Sequence, residues 1–284
     1  MKVFLFRTAD RKEWIEDICR LRANSDEYVG GLRLAFGPFS ANDIKPEHIA
    51  PLACLIEEFS RKKIRVSLDT THEVGLALWE KYRLRQYWAG RKNYAESADN
   101  KVLNLQRIVE DEKELYGRRV GDYLGNKYFH HKDMTPVSNS LTEALYIIFD
   151  HADASGNAFS MVLFDERREE LHVAICDFGK GIARTVKDFL SVDIPDGDAI
   201  RKAMEDRFTI GSSSHNGGLG LGNIRSSCTD GDTLWIVSNK AILATTSDND
   251  RVIELGTDFA GTLVFYSLSL SHLEDEEILD NFNW

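Results

Sequence analysis

Leu171-His172-Val173-Ala174-Ile175-Cys176-Asp177-Phe178-Gly179-Lys180-Gly181-Ile182-Ala183 is the stretch on which the reading of this chain turns. Its first half is a short, nearly continuous apolar run, the pattern of a buried strand. The strand ends on a carboxylate, Asp177, followed within four residues by Gly179 and Gly181. Glycines there let the backbone approach a flat ligand, and an acid at a strand end accepts from an exocyclic amine. Alone, such a D-x-G-x-G is often only a turn.

Two further pieces flank it. Upstream, Ser140 to Asn157 (SLTEALYIIFDHADASGN) reads as a helix on which Glu143, Ile147, Asp150 and His151 fall on neighbouring faces, with Leu141, Leu145, Ile148 and Phe149 supplying apolar packing. Downstream, Thr209 to Ser226 (TIGSSSHNGGLGLGNIRS) places Gly217, Gly218, Gly220 and Gly222 ahead of a helix-like stretch. Backbone N–H groups in such a loop surround phosphates. A final strand, GTLVFYSLSL from Gly261, closes the sheet. Each piece has an ordinary reading as turn, solvated helix or loop; their order makes them one constellation.

The first ninety-odd residues alternate: MKVFLF as a strand, EWIEDICRLRA as a helix, GLRLAFG as a strand with Leu32, Leu34 and Phe36 on one face, PEHIAPLACLIEEFSRK as a helix with Pro46 in its first turn, IRVSL as a strand, and HEVGLALWEKYRL as a helix. Strands separated by helices predict a parallel sheet in a small α/β domain over 1–95. Residues 96–130 are polar and charged and read as a helical linker, a solvated spacer broken at Gly117, Gly121 and Gly125. The second domain is expected over 131–270, and 271–284 as an acidic tail.

Bulk properties narrow the function. The net charge of −11 leaves no broad phosphate-neutralising surface, which argues against direct nucleic-acid binding. Cys19, Cys54, Cys176 and Cys228 form no C-x-x-C pair and read as reduced thiols. No run approaches the roughly 18 apolar residues of a membrane span, and the N-terminal apolar run is too short for a secretion signal. A cytoplasmic protein without membrane contact is the expectation. His48, His72 and His215 do not cluster at zinc-ligand spacing. His130 and His131 lie in a loop-like stretch, against a phospho-acceptor role on a dimerisation helix.

SLTEALYIIFDHA, DFGKG, GGLGLGNI and Gly261-Thr262 resemble, in order, the N box, G1 box, glycine-rich lid and last strand pair of the GHKL ATPases (gyrase, Hsp-type chaperone, histidine kinase, MutL). The resemblance covers about half the chain and implies an α/β sandwich with helices on one face of a mixed sheet. It implies that ATP is the cofactor, with Asp177 on the adenine amine, Gly179 and Gly181 shaping the adenine pocket, and Thr262 supporting it. Gly218, Gly220 and Gly222 would form the phosphate lid, and Glu143 would polarise the attacking water or hydroxyl. The family has Asn where this chain has Ile147. Isoleucine offers no oxygen to Mg²⁺, so a metal would fall to Glu143 and Asp150, and Mg²⁺ binding and hydrolysis would be weak. Residues 32–90 resemble, by pattern and spacing, a STAS-like domain, but Lys45-Pro46-Glu47-His48 stands where regulatory STAS domains carry a phosphorylatable hydroxyl.

The reading is a bacterial-type regulatory protein in which nucleotide occupancy alters the lid and a STAS-like domain or protein partner senses it, with a homodimer left open. The alternatives are an active ATPase or serine/threonine protein kinase using Glu143 as base, and a non-catalytic interaction module.

Overall fold

A computed structural model describes residues 1–85, 102–151, 158–205, 233–246 and 249–275. Strands β1 (Lys2–Phe6), β2 (Leu32–Phe36) and β3 (Val66–Leu68) form a parallel sheet in that order, with helices α1 (Arg11–Ala23) and α2 (Pro46–Arg61) as the crossovers that parallel neighbours require. Leu32, Leu34 and Phe36 are buried together, as their alternation predicts. Trp14 of α1 stacks on Phe6 at 4.1 Å and donates its indole N–H to the His48 carbonyl at 3.1 Å, which ties both helices to the sheet. The stretch after β3 is only briefly α-helical, α3 (Glu73–Leu76), and continues as a π-turn over Ala77–Lys81.

Strands β4 (Val102–Ile108), β5 (Ala158–Asp165), β6 (Glu170–Asp177), β7 (Leu234–Thr245) and β8 (Asp250–Ser269) make a second sheet in the order β4-β5-β6-β8-β7. Every neighbouring pair in it is antiparallel, so the expected mixed sheet is corrected among the described residues. For two of the pairs connection length enforces this: β5 and β6 are joined through residues 166–169, and β7 and β8 through 246–249, too short for a crossover helix. The α/β class stands.

Helices cover both faces of this second sheet, not one. Cys176 and Ala174 of β6 and Leu263 and Phe265 of β8 face α1 and α2, while Val173, Ile175, Val264 and Tyr266 face the opposite way into a core with α4 (Lys113–Lys127), α5 (Thr135–Tyr146), α6 (Ile182–Leu190) and α7 (Asp196–Ala203). Strands apolar on both faces must be covered on both. Helices α1 and α2 thus pack between the two sheets, and the N-terminal unit shares one core with the sheet that follows it.

Residues 96–130 are not a spacer where they are described. Val102–Ile108 is the edge strand β4, and α4 runs through all three glycines read as breaks. They are the contact face with α5: a Cβ at Gly117 would meet Ser138 O at 2.6 Å and collide with Thr142 Oγ1, and one at Gly121 would collide with Ser138 Oγ. Close helix approach, not chain reversal, demands glycine there. Of the expected tail, Glu274 and Asp275 turn back on 132–133 through the Asp133 N to Glu274 O bond and a 2.7 Å Lys132–Asp275 ion pair. Residues 276–284 lie outside the described residues. Cys19, Cys54 and Cys176 are buried free thiols, and Cys228 lies outside the described residues. No described helix is long and apolar enough to cross a membrane.

Where a phosphorylatable hydroxyl was sought, His48 closes the start of α2. Its Nδ1 accepts from Lys45 N at 3.0 Å and its Nε2 donates to Ala9 O at 3.0 Å, a pattern open only to the neutral ring. Burial accordingly holds His48 below its ordinary value of 6.5.

Two outcomes are expected. Gly117→Ala, which gains up to ~1 kcal/mol in helix propensity, should instead lower unfolding stability by about 1–3 kcal/mol through overpacking against α5, read by urea denaturation. His48 binds its proton more weakly folded than unfolded, so its stabilisation is present above pH 6.5 and is lost as pH falls from 6.5 towards the depressed folded value. The urea midpoint should therefore drop over that window in the natural chain and drop less in His48→Gln.

Candidate functional site

Asp177 ends β6 opposite Thr262 of β8, and both are buried. One carboxylate oxygen accepts from Thr262 N at 3.0 Å and the other from Gly179 N, so the side chain bridges the strand end and the loop that leaves it. A carboxylate accommodates about four hydrogen bonds. Gly261 sits beside this bridge at φ +135°, where a Cβ would press within 2.8 Å of Phe178 Cα and collide with Asp177 O.

Gly181 leads into α6 at φ +88°, and a Cβ on it would come within 2.7 Å of both Gly261 O and Ser238 Oγ and 2.8 Å of Asn239 Oδ1. The same groups satisfy the helix start. Ile182 N donates to Thr262 Oγ1 (3.2 Å), Ala183 N to Ser238 Oγ (3.3 Å) and Arg184 N to Asn239 Oδ1 (3.2 Å), three of the four amides a helix N-terminus leaves unpaired. Asn239 itself adopts φ 51° at a register shift between β7 and β8, and its Nδ2 donates to Asp258 at 3.2 Å. Ser238 and Asn239 were missed by the sequence reading. Their signal is two polar residues interrupting the apolar run of β7.

The structure thus brings Asp177, Gly179 and Thr262 into one hydrogen-bonded cluster, with Gly181 packed beside it against Gly261 and Ser238. Glu143 takes a different place, on the wall of a polar groove of about 500 Å³ between α4 and α5 that Glu114, Arg118, Asp122 and Asp133 also line. One turn further on, Ile147 is buried in the core and opens a π-helical turn, Ile147–His151, that packs against α6 and β6. Asp150 lies within that turn, but its side chain is outside the described residues, as are the lid glycines Gly218, Gly220 and Gly222. Among the described residues no group of three or more His, Cys, Asp or Glu stands together to hold a metal.

No protein-family model matches this sequence, and no curated protein matches it. The site itself is a fixed buried carboxylate at a strand end, with close-packed glycine backbone and a helix start beside it.

Replacing Gly261 by alanine should destabilise the chain by about 1–3 kcal/mol, because the new methyl group meets the Asp177–Phe178 backbone in a conformation side chains rarely adopt. Gly256→Ala, where the nearest atom is Glu16 Oε1 at 3.6 Å, should stay within about 0.5 kcal/mol. Thermal and urea unfolding of the two variants measure the difference.

Proposed function

We propose that this chain is an ATP-binding regulatory protein of the histidine kinase-like ATPase type, its adenine pocket built on Asp177, Gly179, Gly181 and Thr262 and its N-terminal unit STAS-like. The observation that carries the reading is the double anchoring of the buried Asp177 carboxylate by Thr262 N and Gly179 N. A carboxylate held this way is rigid, and rigidity is what lets one acceptor select an exocyclic amine over a carbonyl at the same position. Glycine at 181 and 261 lets the backbone segments beside the carboxylate close on one another, since a Cβ at either position would meet protein atoms within 2.8 Å.

Magnesium fits this chain poorly. Ile147 turns a hydrocarbon side chain into the core where a metal-bearing oxygen would be needed. Glu143 lies in a polar groove with four other charged residues, a setting that suits a solvated carboxylate as well as a base. The buried Ile147 therefore favours a nucleotide-occupancy switch over the alternative of an active ATPase or serine/threonine protein kinase. A protein partner or the N-terminal unit would read the occupied state.

Isothermal calorimetry with ATP tests the reading. The natural chain should bind, and Asp177→Asn, which keeps the side-chain shape but presents an N–H to the adenine amine, should weaken affinity by about 1.5–3 kcal/mol, roughly tenfold or more. Equal affinity in the variant, or no binding by the natural chain, ends the assignment.

A further inference from the structure

Arg22 lies on α1, in the N-terminal unit, yet its guanidinium reaches the pocket loop from behind. Nη1 donates to Ala260 O and Nη2 to Phe178 O at 3.3 Å, so one planar group ties together the two backbone segments that carry Asp177 and Thr262. The same guanidinium stacks on the Phe178 ring at 4.0 Å, and Phe178 meets Phe259 edge-on at 5.7 Å. From the other side, Nε is held by Glu58 of α2 at 2.5 Å, and Glu58 also binds Lys62 at 2.9 Å. The arginine side chain is only 22% exposed. Its five donors in a fixed fork match two carbonyls and a carboxylate at once, which a lysine cannot do.

We propose that Arg22 is a positioning residue for the nucleotide pocket, through which the α1–α2 layer sets where Asp177 points. This rests on the nucleotide reading given above. Phe178 and Ala260 are the immediate neighbours of Asp177 and Gly261, and the carbonyls that Arg22 grips are distinct from the amides that hold the carboxylate. Release of the grip frees the loop to tilt without touching Asp177. A shift of α1 against α2, where Glu58 anchors the guanidinium, is thereby transmitted to the acceptor that reads the base. The two units of the chain are linked at this point by a directional, charge-assisted contact, set in a largely apolar interface that also carries the Gly256 N to Glu16 Oε1 bond at 3.1 Å and the Arg107–Glu57 ion pair at 3.6 Å.

The test has two arms on the full chain. Hydrogen exchange without nucleotide should show the amides of residues 178–181 and 260–262 exchanging about tenfold faster in Arg22→Ala than in the natural chain, with α5 unchanged. Arg22→Lys, which keeps the charge but loses the fork, should fail to restore protection, and Glu58→Gln should give a smaller loss of the same kind. In calorimetry, Arg22→Ala should bind ATP about tenfold more weakly while GTP affinity changes little, so the preference for adenine narrows; a merely structural loss would weaken both alike. Unchanged exchange in Arg22→Ala, full rescue by lysine, or an unaltered ATP-to-GTP ratio would overturn the proposal. A natural chain that binds neither nucleotide removes the nucleotide reading instead, and the exchange arm then decides the clamp alone.

Discussion

The antiparallel pairing of β6 with β8 is the constraint on which the rest of the molecule depends. These strands are apolar on both faces, so each demands a layer of helices above and below. The N-terminal unit provides one layer through α1 and α2, and α4 to α7 provide the other. The pairing also sets Asp177 opposite Thr262 at the point where β6 ends. Shift the register by one residue and the acid would turn towards α1 and α2, out of reach of the α6 start.

That strand end is where the backbone has most to satisfy. The loop 178–181 leaves the ladder, α6 begins with unpaired amides, and β7 shifts register at Ser238 and Asn239. Side chains of Thr262, Ser238 and Asn239 settle the helix amides, Asp177 settles two others, and Arg22 takes two carbonyls. An unmet buried amide or carbonyl costs roughly 1–3 kcal/mol, so these polar groups hold one loop conformation among many. Preorganisation of the acceptor follows from the same bonds that stabilise the fold, and this is why glycine is required at 181 and 261: any side chain would occupy the space the bonds need.

Much of this was legible in the chain and some was not. The alternation at Leu32, Leu34 and Phe36, the Pro46 helix start and the strand running into Asp177 were local signals, set by periodicity and by proline and glycine geometry. Residues 102–108, expected as part of a helical linker, form an edge strand, which is half solvated and looks like a charged spacer, whereas the helical expectation holds over 113–127. Glycines in a helix likewise look like breaks until the partner that needs their thinness is known. Glu143 shows the same limit: helical spacing placed it near Ile147, but only packing put α4 across from it.

By itself the sequence determined the α/β class, the parallel N-terminal strands and the glycine-rich loop after Asp177, because these follow from side-chain period and backbone freedom within a few residues. Tertiary structure alone decided that α1 and α2 serve both sheets and that Arg22, Ser238 and Asn239 belong beside Asp177. Those relations join residues more than fifty positions apart. Contacts of that kind are selected by how whole layers bury their apolar faces, and no local pattern encodes which distant polar group will be left at the rim to complete a loop.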